Sequence, residues 1–275
     1  MSARARRDLV AIVVVLAIMA LANVVPTDTS LRLVQERGSL RLCIPESYPP
    51  LVTDGPATPG VDVEIMQAVA DNLGLRLQTI TNRAIGRDFN PRNWRITRAQ
   101  CEVIGGGVVT TGVTESFLET TPSHLETGWA IAVPTDLDSL TSARVGFLSG
   151  ASGLDRIRLS RFLREIAVET TILQSYDEAL RAIEGGEVDA IATEALRARQ
   201  LAGETGWEAQ YLPESLGRYP LGFGLWKGDL TLKRALVAEL QALLRTGAIE
   251  EIVDAYDLTP ITPTCDVCPS TDAVP

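Results

Sequence analysis

Apolar positions along this chain switch repeatedly between the two periods that secondary structure imposes. Leu40-Arg41-Leu42-Cys43-Ile44 is a short apolar run of strand length. A proline-rich loop from Pro45 to Pro59 follows it. Apolar residues then recur at Val61, Ile65, Val69 and Leu73, the spacing of one helix face. Asp62 sits where an N-cap belongs, and Gly74 follows as a C-terminal stop. Leu75 to Ile80 returns to strand. The pattern predicts a βαβ unit whose long loop lies at the carboxyl end of its first strand. Open α/β sheets bind ligands at that end.

The rest of the chain repeats the alternation. Leu31 to Arg37 reads as a short helix closed by Gly38, and Thr81 to Arg98 as a polar loop with one helical turn and an isolated Trp94. Cys101 to Val109 is strand-like and contains Gly105-Gly106-Gly107. Thr110 to Thr121 is polar, and Trp129 to Val133 is another strand. A second series starts at Arg144: strands at 144–148, 169–173 and 188–192, and helices at 154–167, 176–184 and 195–202. Tyr219 to Lys227 reads as a strand, Leu230 to Arg245 as a long helix stopped by Gly247, and Ile249 to Tyr256 as the last helix. Pro134 to Leu140 and Gly217 to Gly222 are candidate crossings between two α/β blocks. From Thr259 the chain is rich in Pro and Thr and is expected to be poorly ordered. Trp129 and Trp226 are read as core, and His124 as a surface residue.

Composition changes this picture in two places. The first residues combine Arg4, Arg6 and Arg7 with an apolar core from Leu9 to Met19 and an Ala20-Leu21-Ala22 end. That is the layout of a signal peptide. The apolar core is shorter than the roughly 20 residues of a spanning helix, although Val24 and Val25 lengthen it, so an uncleaved anchor is the alternative. Either way the body of the chain is expected in an exported, periplasmic setting. The formal net charge of −10 argues against nucleic acid as a partner.

Export makes the four cysteines informative. Cys43 and Cys101 lie on strand-like runs that a parallel sheet could place side by side, so a disulfide is expected there. Cys265 and Cys268 form a C-x-x-C pair flanked by Pro263 and Pro269, without the helix start a redox-active pair uses. A local disulfide is the first reading. Zinc would need two more ligands, and His124 is the only histidine. No metal site and no cofactor is expected. Nothing in the chain pairs a nucleophile with a base, and neither G-x-S-x-G nor a phosphate-binding loop occurs. Binding rather than catalysis is the expectation.

Several segments together resemble the family 3 periplasmic solute-binding proteins, the type II receptors of polar amino-acid ABC importers. In the first block these are Gly38-Ser39-Leu40-Arg41-Leu42, Pro49-Pro50, Gly60-Val61-Asp62-Val63-Glu64-Ile65 and Asn72-Leu73-Gly74. Further along are Glu126-Thr127-Gly128, Val145-Gly146-Phe147-Leu148-Ser149-Gly150, Glu187-Val188-Asp189-Ala190 and Lys227-Gly228-Asp229. The resemblance implies a two-lobed α/β fold with two chain crossings and a central cleft that closes on a solute. It implies a monomer that docks on an ABC permease. The corresponding division is a signal peptide at 1–22, a first lobe at 31–134 and 223–258, a second lobe at 135–222, and a tail at 259–275. The positions of Cys43 and Cys101 are also similar to a narrower group that accompanies quinoprotein methanol oxidation. That likeness implies an alternative, an accessory protein with a periplasmic protein partner.

The resemblance also places a site. The family loop G-x-T-x-T-x-x-R corresponds to Gly107 through Thr114, so Gly107, Val109, Thr111 and Thr114 are candidate ligand contacts. Thr114 stands where the family's carboxylate-gripping Arg would be, and no Arg occurs between Arg98 and Arg144. The turn around Gly150 and Ser152 offers backbone N–H groups to an anionic oxygen. Glu194 stands at the family's ammonium-binding Asp, with a plain helix cap as its other reading. Tyr48 either stacks on a ligand or packs on Pro49-Pro50. The departure at Thr114 implies a small polar solute that is cationic or neutral rather than an ordinary amino acid.

Overall fold

The computed structural model describes residues 6–7, 12–16, 28–53, 55, 57–85, 91–148, 154–166, 168–256 and 258–269. The segment read as a signal peptide falls largely outside these residues, as do Gly150 and Ser152. No helix among the described residues is long and apolar enough to cross a membrane.

Helix α1 (Ser30–Arg37) leads into β1 (Ser39–Ile44), and α2 (Val61–Asn72) into β2 (Arg76–Thr81). Strand β3 (Val103–Val109) is followed by the short α3 (Gly112–Glu115), β4 (Leu118–Thr120) and the long β5 (Leu125–Val133). The second series comprises β6 (Arg144–Leu148), α4 (Arg156–Glu165), β7 (Glu169–Leu173), α5 (Tyr176–Glu184), β8 (Ala190–Glu194), α6 (Ala195–Thr205) and β9 (Glu208–Tyr211). The chain returns through β10 (Arg218–Trp226) and ends in α7 (Leu230–Thr246), α8 (Ala248–Asp254) and the two-residue β11 (Ile261–Thr262).

The strands lie in the order β2-β1-β3-β10-β5-β8-β6-β7. Within that order β1 pairs in parallel with β2 and β3, and β6 in parallel with β7 and β8. Two βα series are thus joined through two antiparallel strands. Strand β5 belongs to both. Its residues Leu125 to Gly128 pair with β10, whereas Trp129 onward pairs with β8 and β9. The first crossing therefore runs inside a strand, before the break in pattern at Pro134.

One apolar core runs through both lobes, from Leu40, Ile65 and Met66 to Trp129, Ile131, Ala192 and Leu196. A second, alanine-rich cluster packs α5 and α6 on the second series. A third surrounds the first disulfide. Cys43 and Cys101 are joined, with their Cα atoms 5.7 Å apart. Trp94, isolated in a polar stretch of sequence, is buried against this bond together with Ile85, Ile104 and Leu118. Removing the bond frees a loop of sequence separation 58 in the unfolded chain. Replacing both cysteines by alanine should therefore lower stability by about 2–4 kcal/mol. Urea unfolding of the oxidised protein and the double variant measures this, and equal midpoints would refute it.

The tail departs from expectation. Ile261 and Thr262 pair with Ala209 and Gln210 of β9. The Arg199 guanidinium donates to the carbonyls of Leu258 and Thr259. Gln210 Oε1 accepts from Asp266 N, and Val267 is buried. Cys265 and Cys268 are bonded to each other within this strap. Proline prevents a helix here but not an edge strand held by side-chain bonds.

Candidate functional site

The loop after β1 is folded rather than loose. Tyr48 and Val52 exchange backbone hydrogen bonds of 2.8 and 2.9 Å. The first N–H groups of α2 are also used, because Val61 donates to Pro50 O and Asp62 to Leu51 O. These bonds satisfy donors that a helix start otherwise leaves open. They also fix the tip of the loop, and with it Tyr48, on the start of α2.

Tyr48 is 5% exposed. Its hydroxyl donates to Glu194 Oε2 at 3.3 Å. The Arg197 guanidinium lies 4.2 Å from the centre of its ring, a stacking distance for a cation on a π face. Burial, and next the charge of Glu194, push the Tyr48 hydroxyl well above its ordinary pKa, so it stays a donor.

Glu194 is wholly buried at the end of β8 and caps α6. Its carboxylate accepts from Leu196 N at 3.0 Å and Arg197 N at 3.3 Å. Thr127 Oγ1, on the crossing strand β5, donates to Oε1 of the same group, the oxygen that also accepts from Leu196 N. Burial raises its pKa, and these hydrogen bonds oppose the rise. The helix-cap role is present in the geometry. The same carboxylate faces the first lobe through Tyr48.

The other predicted positions divide. Gly107 N–H is spent on Asp62 Oδ2 at 3.1 Å. Val109 is fully buried and pairs with Leu221 of β10. Thr111 precedes α3, and Thr114 inside it is 2% exposed. Among the described candidates, Tyr48 and Glu194 bond through their side chains, and Thr111 N–H donates to Val109 O at 3.1 Å within one lobe. Thr127 and Arg197 complete the group, and sequence reading missed both. Thr127 stands in the Glu126-Thr127-Gly128 segment already singled out, and Arg197 lies three residues after Glu194. Facing helices and strands had to be placed before either could be assigned.

Two readings from sequence are overturned here. Asp62 is not the N-cap of α2; Gly60 precedes the helix without a side-chain cap. Asp62 turns inward, where Oδ2 accepts from Gly106 N at 2.7 Å as well as from Gly107 N. His124 is not on the surface. It is buried, with Nε2 2.9 Å from Asp62 Oδ1 and its ring stacked on Phe223 at 4.6 Å. A carboxylate can be buried when its own oxygens are satisfied. Here two backbone N–H groups and an imidazole satisfy one carboxylate. The group ties α2, the end of β3 and the entry to β5 together.

On the second-lobe side, Trp129 is fully buried and its Nε1 donates to Asp155 O at 3.1 Å. Asp155 caps α4 by accepting from Arg158 N. Trp226 is half-buried and donates to Cys101 O at 2.7 Å. Arg218 lies 3.9 Å from the Tyr211 ring centre and donates to Leu212 O, which pins the return crossing. The site as a whole holds an acceptor carboxylate, a guanidinium face and a ring between them. That chemistry suits recognition of a polar, planar group.

No family model and no curated protein matches the sequence. Solved structures do match its fold. An ancestral cationic amino acid solute binding protein is 18% identical with a TM-score of 0.67, covering 82% of this chain and 99% of its own. An ABC uptake transporter substrate binding protein from Streptococcus pneumoniae with bound histidine is 15% identical with a TM-score of 0.65, covering 84% and 96%. An ancestral amino acid-binding protein, a precursor of cyclohexadienyl dehydratase, is 16% identical with a TM-score of 0.63, covering 82% and 99%. At these identities the likeness is one of fold. The chain has the two-lobed α/β fold of the type II solute-binding proteins.

Proposed function

We propose that this protein is an exported solute-binding receptor of an ABC-type importer that holds a small polar solute between its lobes. One observation carries the reading. At the junction of the two lobes, Tyr48 of the first meets Glu194 and Arg197 of the second, and this pairing joins opposite sides of a solute-binding-protein fold. The solved structures of similar fold, one ancestral protein named for amino-acid binding and seen in two structures, and one transporter protein holding histidine, support it. The role is binding, with the ABC permease as the membrane partner and a monomer as the working form. Thr114 in place of a carboxylate-gripping Arg keeps ordinary L-amino acids off the list of strong ligands.

A thermal-shift screen of amino acids, amines, polyols and small aromatic solutes tests this. A true solute at 100 times its dissociation constant stabilises the folded protein by about 2.7 kcal/mol. At least one non-amino-acid compound should reach that effect, and titration should then give a saturable constant. If no small compound stabilises the protein while a periplasmic protein co-purifies stoichiometrically, the accessory reading replaces this one. A submicromolar constant for an ordinary L-amino acid would sink the ligand-class part alone.

A further inference from the structure

We infer that Tyr48 is a tethered occupant of the solute slot, holding the lobes together in place of a ligand, and that the solute displacing it is a planar ring bearing a hydrogen-bond donor. This inference rests on the reading of the lobe junction as a solute site, and it names the ligand class for that site.

The argument starts from what Glu194 bonds. Leu196 N and Arg197 N belong to its own helix, and Thr127 to the strand that crosses between lobes. The two helix donors stay with Glu194 however the lobes stand, and Thr127 lies next to the point where β5 changes partners from β10 to β8. The bond from Tyr48 is different in kind. It comes from the loop after β1, within the first lobe, 146 positions away in sequence. The stack of Arg197 on the Tyr48 ring crosses the same junction. Opening the lobes therefore breaks both contacts at once and leaves the helix-cap bonds to Glu194 in place.

The vacated slot would have a defined chemistry. One carboxylate oxygen is a directed acceptor, and one guanidinium presents a flat cationic face. A slot of this kind favours a flat π system over an aliphatic chain. It favours a phenol or an N–H donor over a bare ring, because the buried Oε2 otherwise keeps only the long bond from Arg197 N, and an under-paired buried carboxylate oxygen is costly. Tyr48 already supplies both features. Any solute must compete with it, so the apparent affinity is the intrinsic affinity reduced by the fraction of molecules with Tyr48 withdrawn. A weak latch leaves a sensitive receptor, and a strong latch leaves a selective one.

The excised side chain is the direct probe. Tyr48→Ala should bind p-cresol saturably by calorimetry, and p-cresol should raise its melting temperature and reduce its radius of gyration. Toluene, which has the ring without the donor, should bind at least tenfold more weakly. The intact protein should bind p-cresol at least tenfold more weakly than the variant, because its own side chain fills the slot. Equal binding of p-cresol by variant and intact protein would overturn the inference, as would equal binding of toluene and p-cresol by the variant. Should Tyr48→Ala fail to fold, Tyr48→Phe keeps the ring and removes only the hydroxyl. Its radius of gyration should exceed that of the intact protein, and an unchanged value would count against the latch. The probe reports the slot alone. A failed solute screen on the intact protein with a successful p-cresol rescue would thus overturn the receptor reading and leave the latch standing.

Discussion

Replacing Asp62 with alanine is expected to destabilise the protein by about 3–5 kcal/mol, the range for removing one partner from a buried polar pair. Its carboxylate is 1% exposed and serves three donors: Gly106 N, Gly107 N and His124 Nε2. Alanine leaves all three without an acceptor in a site that water does not reach. Each unmade bond costs roughly 1–3 kcal/mol, so the range is reached even if the structure relaxes around one of them. Asparagine should cost distinctly less. Its carbonyl can accept from both glycines, and its amide can donate to the histidine in the other tautomer. Urea unfolding midpoints at constant slope measure the difference. An alanine variant within 1 kcal/mol of the parent, on the scale of ordinary surface substitutions, would show that the pair is not holding these elements together.

The same substitution has a second, local readout. Gly106 and Gly107 lie in β3, which leads into the Thr111–Thr114 stretch, and His124 lies just before Thr127 on β5. Loss of the carboxylate should raise hydrogen exchange at 106–114 and 124–128 ahead of the rest of the molecule. Local opening follows local bonding.

Much of the fold could be read from sequence because its elements carry strong periodic signals. The helix after the Tyr48 loop, the long helix from Leu230 and the strands at Leu40 and Arg144 all appear where apolar spacing placed them. The disulfide between Cys43 and Cys101 followed from two strand-like runs and an expectation of export. The errors have a common physical origin. Asp62 carried a helix-start signature, and a carboxylate near a helix start is favourable either as a cap or as an inward acceptor. Which applies depends on what faces it, and the two glycines that do are some 44 residues away in sequence. His124 failed in the same way. A lone histidine in a polar loop gives no sign of the Phe223 ring that covers it. The tail was misjudged on composition alone, since its partners on β9 and Arg199 are not local. The site was half legible. Tyr48 and Glu194 stood out by position in a family-like pattern, but their bond to each other depends on how the two lobes meet.

Gly60→Ala should be the most disruptive single-atom change in the Tyr48 loop, costing about 2–6 kcal/mol from backbone strain and overlap together. Gly60 has φ +112° and ψ +149°, a conformation open only to glycine. An added Cβ would lie 2.4 Å from Leu51 O and 2.6 Å from Val52 Cα. Both are backbone atoms, so no side-chain rotation relieves the contact. The loop or the helix must move. The loop carries the Tyr48–Val52 pair, and α2 accepts its register from the bonds of Val61 to Pro50 and Asp62 to Leu51. Gly60 N–H also donates to Tyr256 Oη at 2.7 Å, and that hydroxyl donates to Glu64. Pushing the loop outward therefore withdraws Tyr48 from Glu194 while loosening the seat of α2. Gly74→Ala provides the control. Its φ is +68° with no atom within 4 Å of the added carbon, so it meets left-handed strain without overlap, about 1–2 kcal/mol. Urea unfolding should rank the two variants well apart. The Gly60 variant should also bind solutes of the slot more tightly per folded molecule, because its latch is displaced. If Gly60→Ala and Gly74→Ala cost the same, the close approach of Leu51 to Gly60 does not set the loop, and the position of Tyr48 must be fixed from the second lobe instead.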